Sequence, residues 1–276
     1  MIDLTGAFAA LAFLSKISAS FFVYLIIGVL PCFLWLIFYL KRDRHPEPKK
    51  EIIAVFILGG LMTIPAIAME TFLIGAVNRL GLPYSISIVI SNLAAIALIE
   101  EFAKYFCVWL KEQATNQNRY LDEPVDFIIY MVVAALGFAA VENLMYLLGY
   151  AQTEFYNNAP PFSLDNASAI TMVSIFRSIS AILFHTLSSG IVGYYMAQAF
   201  CRRQAKTGLL IAGIITASAL HGLYNLSIIK SEQDGMLSMF LYIPLGLILL
   251  MAIALYFLFK NLLKTKSICN MKIIKK

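Results

Sequence analysis

A short apolar segment of the sequence, LIEEFAKYF (98–106), carries three charges within five residues, Glu100, Glu101 and Lys104. On an α-helix Lys104 is an i, i+4 neighbour of Glu100 and an i, i+3 neighbour of Glu101. Lys104 can therefore pair with one carboxylate while the other remains available to take a proton. This arrangement is suited to general-base activation of a water molecule.

Other polar residues interrupt the apolar segments that follow. They comprise Glu142, with the apolar Phe138 four residues before it, Asn143, Arg177, His185, and His221 with Asn225 at the same i, i+4 spacing. An Asp, Lys or Arg at the centre of a membrane helix costs about 2.5–3.5 kcal/mol on the insertion scale. Such groups face a protein interior or a wet cavity, so they are candidates for function.

The composition indicates the class of protein that contains these residues. Hydrophobic residues make up 61% of the 276-residue chain and charged residues only 13%, against about 25% charged in a soluble domain. We expect an all-α, polytopic transmembrane bundle of about seven to eight spans. Seven apolar runs are long enough to be spans, at roughly 21–40, 52–74, 86–110, 127–149, 169–200, 208–229 and 236–259.

Basic residues are concentrated in alternate loops. The segments 41–50, 111–124, 201–206 and the end of the chain from Lys260 are basic, whereas 150–168 has no Lys or Arg. The positive-inside rule places the basic segments in the cytoplasm, with the N-terminus outside and the C-terminus inside. The net charge of +5 is thus explained by topology, and no nucleic-acid partner is expected.

Three regions are predicted along the chain. Residues 1–20 form an extension, either an interfacial helix or a weak extra span. Residues 21–260 form the membrane domain. Residues 261–276 form a basic cytoplasmic tail, which could also bind anionic lipid.

Four motifs in order resemble a known family. EExxK (100–104), FxxxE (138–142), FRSISAILFH (176–185) and HxxxN (221–225) are similar to those of the PrsW-type intramembrane proteases, over roughly residues 20 to 260. The wider superfamily includes the type II CAAX prenyl endopeptidases, which have EExxxR and FxxxH instead. Lys104 and Glu142 therefore favour the PrsW branch, and a CAAX-type protease is the alternative.

The resemblance implies a bacterial plasma-membrane endopeptidase that cleaves a membrane-anchored protein. The best-known role in the family is the first-site cleavage of a transmembrane anti-sigma factor. We expect a glutamate-type hydrolase in which Glu100 or Glu101 is the base and His185 or His221 orients water or protonates the leaving amine. His221 and Asn225 would donate to the oxyanion, as in the prenyl-endopeptidase branch.

The remaining motif residues have supporting roles in this interpretation. Glu142 would fix the tautomer of a histidine, and Lys104, Phe138, Asn143 and Arg177 would support the site. No metal or cofactor is expected, because the histidines lie on different helices and HExxH is absent. Zinc held by histidines and glutamates is the mechanistic alternative.

Other classes of protein stay open at this point. The Glu–Lys cluster could be a structural ion-pair network, and a receptor or immunity protein could use it as a binding cavity. A transporter also buries charges at mid-membrane, but it usually shows repeated halves, which this sequence lacks. Serine or cysteine nucleophiles are disfavoured, because Ser188 and Ser189 follow His185 too closely on one helix.

Overall fold

Seven helical segments make up the described part of the chain. The computed structural model describes residues 26, 28–41, 47–114, 121, 123–156, 180–201, 206–234 and 242–273. Within them there is no strand. The helices are α1 (Gly28–Leu40), α2 (Lys49–Arg79), α3 (Tyr84–Ala114), α4 (Pro124–Tyr156), α5 (Ala181–Cys201), α6 (Lys206–Asp234) and α7 (Tyr242–Ile273).

The expected all-α polytopic architecture is confirmed. Five helices, α2, α3, α4, α6 and α7, are long and apolar enough to cross a membrane. Each overlaps one predicted span. The last helix continues to Ile273, so much of the predicted tail extends the final span as helix. The predicted extension 1–20 and Arg177 lie outside the described residues.

The helix α5 lies at the centre of the bundle. Sixteen of its 21 residues are buried, including His185, Ser188, Ser189 and Gln198. These polar side chains face other helices instead of lipid, as expected for polar groups inside a membrane protein. By contrast, α7 is largely exposed along its apolar length, so it forms an edge of the bundle that suits lipid.

The helices α2 and α4 approach each other closely along small residues. A methyl group added to Gly137 of α4 would collide with the carbonyl oxygen of Phe56 on α2, and Gly59 lies similarly close to Ala134. Small residues at membrane helix interfaces allow backbones to touch. This contact fixes α4, and with it Phe138 and Glu142, relative to the rest of the bundle.

The helix α3 changes its winding before its charged turn. Residues Ser91–Ala97 are π-helical and lead directly into Leu98 and the Glu100–Glu101 pair. Single π-helical turns are rare and frequently occur at functional sites. The π-helical turn also packs against α6, where Leu93 lies so close to Gly222 that a Cβ there would collide with it.

Candidate active site

The charged turn of α3 presents two different faces. Glu100, Glu101 and Lys104 are buried, whereas Phe102 and Trp109 remain well exposed on the other side. The rings of Phe102, Phe106 and Trp109 stack along that side. The sequence order thus produces a helix whose aromatic stripe suits lipid and whose charges point into the bundle.

Lys104 lies within ion-pair distance of both carboxylates, whereas the sequence predicted that it pairs with one. Its Nζ atom lies 2.9 Å from Oε1 of Glu101 and 3.4 Å from Oε2 of Glu100. It also lies 4.9 Å from the centre of the Phe138 ring, a cation–π contact from α4. Lys104 has no exposed surface, so its charge is balanced entirely by protein groups.

His185 links α3 to α4 through α5. Its Nδ1 atom lies 2.8 Å from Nζ of Lys104, and its Nε2 atom lies 2.8 Å from Oε2 of Glu142. An ammonium group can only donate, so Nδ1 of His185 accepts and Nε2 carries the hydrogen. The predicted role of Glu142 as a partner that orients a histidine therefore matches the position of its carboxylate.

His221 has the opposite tautomer. Its Nδ1 atom lies 2.9 Å from Oε1 of Glu101, so Nδ1 donates to that carboxylate. In the neutral ring Nε2 then carries no hydrogen, and it lies 3.8 Å from Oε2 of Glu100. The His185 and His221 rings are 5.0 Å apart and perpendicular, and both are buried.

The two glutamates differ in how many donors they meet. Glu101 accepts four hydrogen bonds, from Lys104, His221, Ser188 and Ser189. Three of these donors, Lys104, His221 and Ser188, meet Oε1, and Ser189 meets Oε2. Glu100 accepts one hydrogen bond, from Lys104 at 3.4 Å, among the described contacts. Of the two glutamates, Glu100 therefore has more acceptor positions open to water.

Two further predicted site residues lie on α6 and α4. Asn225 lies one turn beyond His221 on α6, is half-buried, and makes no described contact with the cluster. Asn143 is buried beside Glu142 on α4.

Sequence reasoning missed three participants. Ser188 and Ser189 were considered only as nucleophiles, yet both bond to Glu101. Glu70 on α2 was not among the predicted site residues, but it is near enough to Glu142 and Lys104 to interact electrostatically. The spacing of the serines from His185, three and four residues, is one turn of helix and placed them on its face.

Three residues of the cluster could hold a metal ion. Ligand atoms of Glu100, His185 and His221 all lie within 4.8 Å of one another. Two histidines and a glutamate form a known catalytic zinc set. Each histidine also has a carboxylate on its other nitrogen, Glu142 or Glu101, a common arrangement around metal-binding histidines.

The residues therefore fit a divalent cation. The sequence argument against a metal relied on the histidines lying on separate helices, and the fold removes that reason. However, Nδ1 of His185 already accepts a hydrogen bond from Lys104, so Lys104 would have to move aside for a cation to use that nitrogen.

Comparison with known proteins identifies the family. Residues 47–257 match the model of a family described as PrsW family intramembrane metalloproteases. The chain belongs to the PrsW family. It is a membrane peptidase, and its matched region contains every predicted site residue, including Arg177.

Curated PrsW relatives cover most of the chain. It is 30% identical to Protease PrsW of Oceanobacillus iheyensis over 83% of this chain and 91% of that protein. It is 27% identical to Protease PrsW of Geobacillus kaustophilus, over 72% and 76% respectively. For Protease PrsW of Bacillus subtilis the identity is 25%, over 68% and 74%. No solved structure matches this PrsW family member.

Proposed function

We propose that this protein cleaves a membrane-anchored protein near the outer membrane boundary, and that a transmembrane anti-sigma factor is its substrate class. The observation that supports the proposal best is the convergence of Glu100, His185 and His221 in one buried cluster. Three helices, α3, α5 and α6, supply these residues, and all three side chains are buried away from the lipid-facing surface. A bundle stabilised only by packing would not require these charges.

Glu100 is the general base of the proposed reaction. Its free acceptor positions can take a proton from water, whereas four donors compete with water for the oxygens of Glu101. A water molecule lying to one side of Oε2 of Glu100 and Nε2 of His221, which are 3.8 Å apart, would meet two acceptors when the His221 ring is neutral. Glu100 takes the proton as water attacks the peptide carbonyl, and then gives it to the leaving amine.

Asn225 supplies the oxyanion donor. Lys104 has three donor positions, and Glu100, Glu101 and His185 occupy them. Its ammonium group is therefore committed to the protein. The amide of Asn225 has no described partner that competes for it and lies one turn from His221. It can donate to the oxygen of the tetrahedral intermediate.

The three residues that could bind a metal ion also permit a metal-assisted form of the reaction. Glu100, His185 and His221 would hold the cation, which would activate water and polarise the peptide carbonyl. Glu142 and Glu101 would then orient the two histidines from their far nitrogens. The assignment of Glu101 and Glu142 as orienting carboxylates is the same in both forms.

Orientation and access follow from the loops. The basic segments place the N-terminus outside and the C-terminus in the bacterial cytoplasm. Glu142, His221 and Asn225 then lie on the outer half of their helices. The backbone of a transmembrane helix is internally hydrogen-bonded, so a substrate must unwind before hydrolysis. Unwinding is easiest at the outer boundary, where water can satisfy the released groups.

Purified protein and a labelled substrate test this function. The substrate is a single-span anti-sigma factor reconstituted with the enzyme in lipid vesicles, and mass spectrometry locates the cut. We expect one cut within a few residues of the outer boundary. A matched substrate whose outer boundary is stiffened by a poly-leucine helix should resist cleavage. A binding protein or a transporter would retain the substrate uncut, which would contradict the proposal.

A further inference from the structure

Two neighbouring serines on α5 donate to both oxygens of one carboxylate on α3. The Oγ atom of Ser188 lies 3.0 Å from Oε1 of Glu101, and the Oγ atom of Ser189 lies 3.3 Å from Oε2. Neither serine nor Glu101 has any exposed surface. These bonds join positions 87 and 88 residues apart.

Adjacent residues of a helix can donate to the same carboxylate only if that carboxylate lies between the directions of their side chains. At 3.6 residues per turn, Ser188 and Ser189 project about 100° apart around α5. The carboxylate of Glu101 must lie between these two directions to accept from both. Its plane is therefore held at two points, and rotation about its last side-chain bond would break at least one of the hydrogen bonds.

The usual role of a buried serine in a helix does not explain Ser189. Serine in a membrane helix often donates to a carbonyl of its own helix, as Ser227 does to Tyr224. The hydroxyl of Ser188 also lies 3.1 Å from the carbonyl oxygen of His185, so its single hydrogen has two acceptors. Ser189 has only Glu101 among the described contacts, and its hydrogen is committed to that carboxylate.

The orientation of Glu101 determines the tautomer of His221. Oε1 of Glu101 accepts from Nδ1 of His221 at 2.9 Å. This leaves Nε2 of His221 without a hydrogen and facing Glu100. A Glu101 carboxylate that turned away would release Nδ1, and the hydrogen could then occupy either ring nitrogen.

We propose that Ser188 and Ser189 are positioning residues that hold Glu101 in the orientation that keeps His221 in its Nδ1–H tautomer. They act through Glu101 and touch neither water nor substrate. This proposal rests on the proposed function only where it concerns turnover. The tautomer itself is a property of the resting protein and can be measured without a substrate.

Nitrogen NMR of the histidine rings tests the tautomer directly. The chain has only three histidines, and the His45→Asn and His185→Asn variants identify the His221 signals. We expect the Nδ1–H pattern in the wild-type protein and a mixture of tautomers in Ser189→Ala. Ser227→Ala is the matched control, because Ser227 is a buried serine outside the site, and it should keep the wild-type spectrum.

Turnover provides the second readout. Hydrogen bonds to charged groups contribute enough that Ser189→Ala should lower kcat about 10- to 100-fold with KM unchanged. Ser188→Ala should have a smaller effect, because its hydrogen is shared. Ser189→Thr keeps a hydroxyl and should restore both kcat and the spectrum. Ser189→Cys keeps the volume with a weak donor, so it should show the tautomer mixture even if the alanine variant folds poorly.

Two results would overturn the positioning role. One is a wild-type His221 spectrum with wild-type kcat in both Ser189→Ala and Ser189→Cys. The other is labelling of either serine by a fluorophosphonate, which would identify a nucleophile. If the tautomer changes as expected but the wild-type protein cleaves no substrate, the proposed function fails while the link from Ser189 through Glu101 to His221 is supported.

Discussion

Lys104 on α3 donates to Nδ1 of His185 on α5 across 2.8 Å, although 81 positions separate them in the sequence. The same ammonium group binds Glu101 at 2.9 Å and Glu100 at 3.4 Å. Lys104 is therefore the common cation of three candidate catalytic residues. It supplies the positive charge that a buried pair of carboxylates needs.

The two glutamates should respond differently to the same substitution. Glu100→Gln removes the proposed base and should lower kcat about 100- to 10,000-fold, while the protein accumulates and unfolds like the wild type. Glu101→Gln weakens the pairing of buried Lys104 and should lower stability as well, by up to about 3–5 kcal/mol. Cleavage of a reporter and thermal unfolding in detergent measure the two effects.

Glu51→Gln is the matched control for the glutamate variants. Glu51 pairs with Lys111 in a partly exposed ion pair, which contributes at most about 1 kcal/mol. The Glu51→Gln variant should keep both its cleavage rate and its stability near those of the wild type. Wild-type cleavage by Glu100→Gln would rule out Glu100 as the base.

Asn225→Ala should lower kcat about 100- to 1,000-fold, the usual cost of removing one oxyanion donor. Stability should hardly change, because Asn225 makes no described contact with the cluster. Steady-state kinetics measures the loss of kcat, and an unfolding curve of the same variant measures its stability. A wild-type kcat would mean that another group stabilises the oxyanion.

Activity should survive strong chelators, as the sequence interpretation predicts. The physical reason now comes from the fold, because Lys104 already supplies a cation to His185 and Glu100. Elemental analysis of active enzyme should show sub-stoichiometric zinc. Loss of activity on chelation, with recovery on adding zinc, would instead assign Glu100, His185 and His221 as metal ligands.

Gly137→Ala should destabilise the bundle by about 1–3 kcal/mol, since the added methyl group meets the Phe56 carbonyl oxygen. Gly75→Ala on α2 is the matched control, because nothing lies within 4 Å of its added methyl group. The difference is measured as the unfolding midpoints of the two variants in the same detergent. Equal midpoints would show that α2 and α4 can separate at no cost.

Single cysteines near Glu142 and Asn225 test the orientation, after the four native cysteines are replaced. These positions should react with a membrane-impermeant thiol reagent added outside intact cells, because the cavity is proposed to open outward. A cysteine at position 206, where α6 begins, should react only in inverted vesicles. The reverse pattern would mean that the topology is inverted and would make an anti-sigma factor an unsuitable substrate.

The sequence by itself determined the class, most of the helices and the charged residues and histidines that meet inside the bundle. Inside lipid every backbone N–H and C=O group must be hydrogen-bonded within the protein. Long apolar runs therefore form membrane helices. The same constraint marks Glu100, Lys104, Glu142, His185 and His221, since each polar group there is costly unless it has a partner. Helical spacing made both glutamates of α3 neighbours of Lys104, and in the structure Lys104 pairs with both instead of the one that was expected.

Only the tertiary structure decided which partner each group has. Which glutamate meets more donors depends on side chains from α5 and α6. Ser188, Ser189 and His221 all donate to Glu101. Spacing along one helix carries no information about the rotation of another helix. The separation of the histidines in sequence likewise argued against a metal set, yet the packing of α3, α5 and α6 brings Glu100, His185 and His221 within 4.8 Å. Close approach of helices through small residues fixes those rotations, and that contact exists only in the folded bundle.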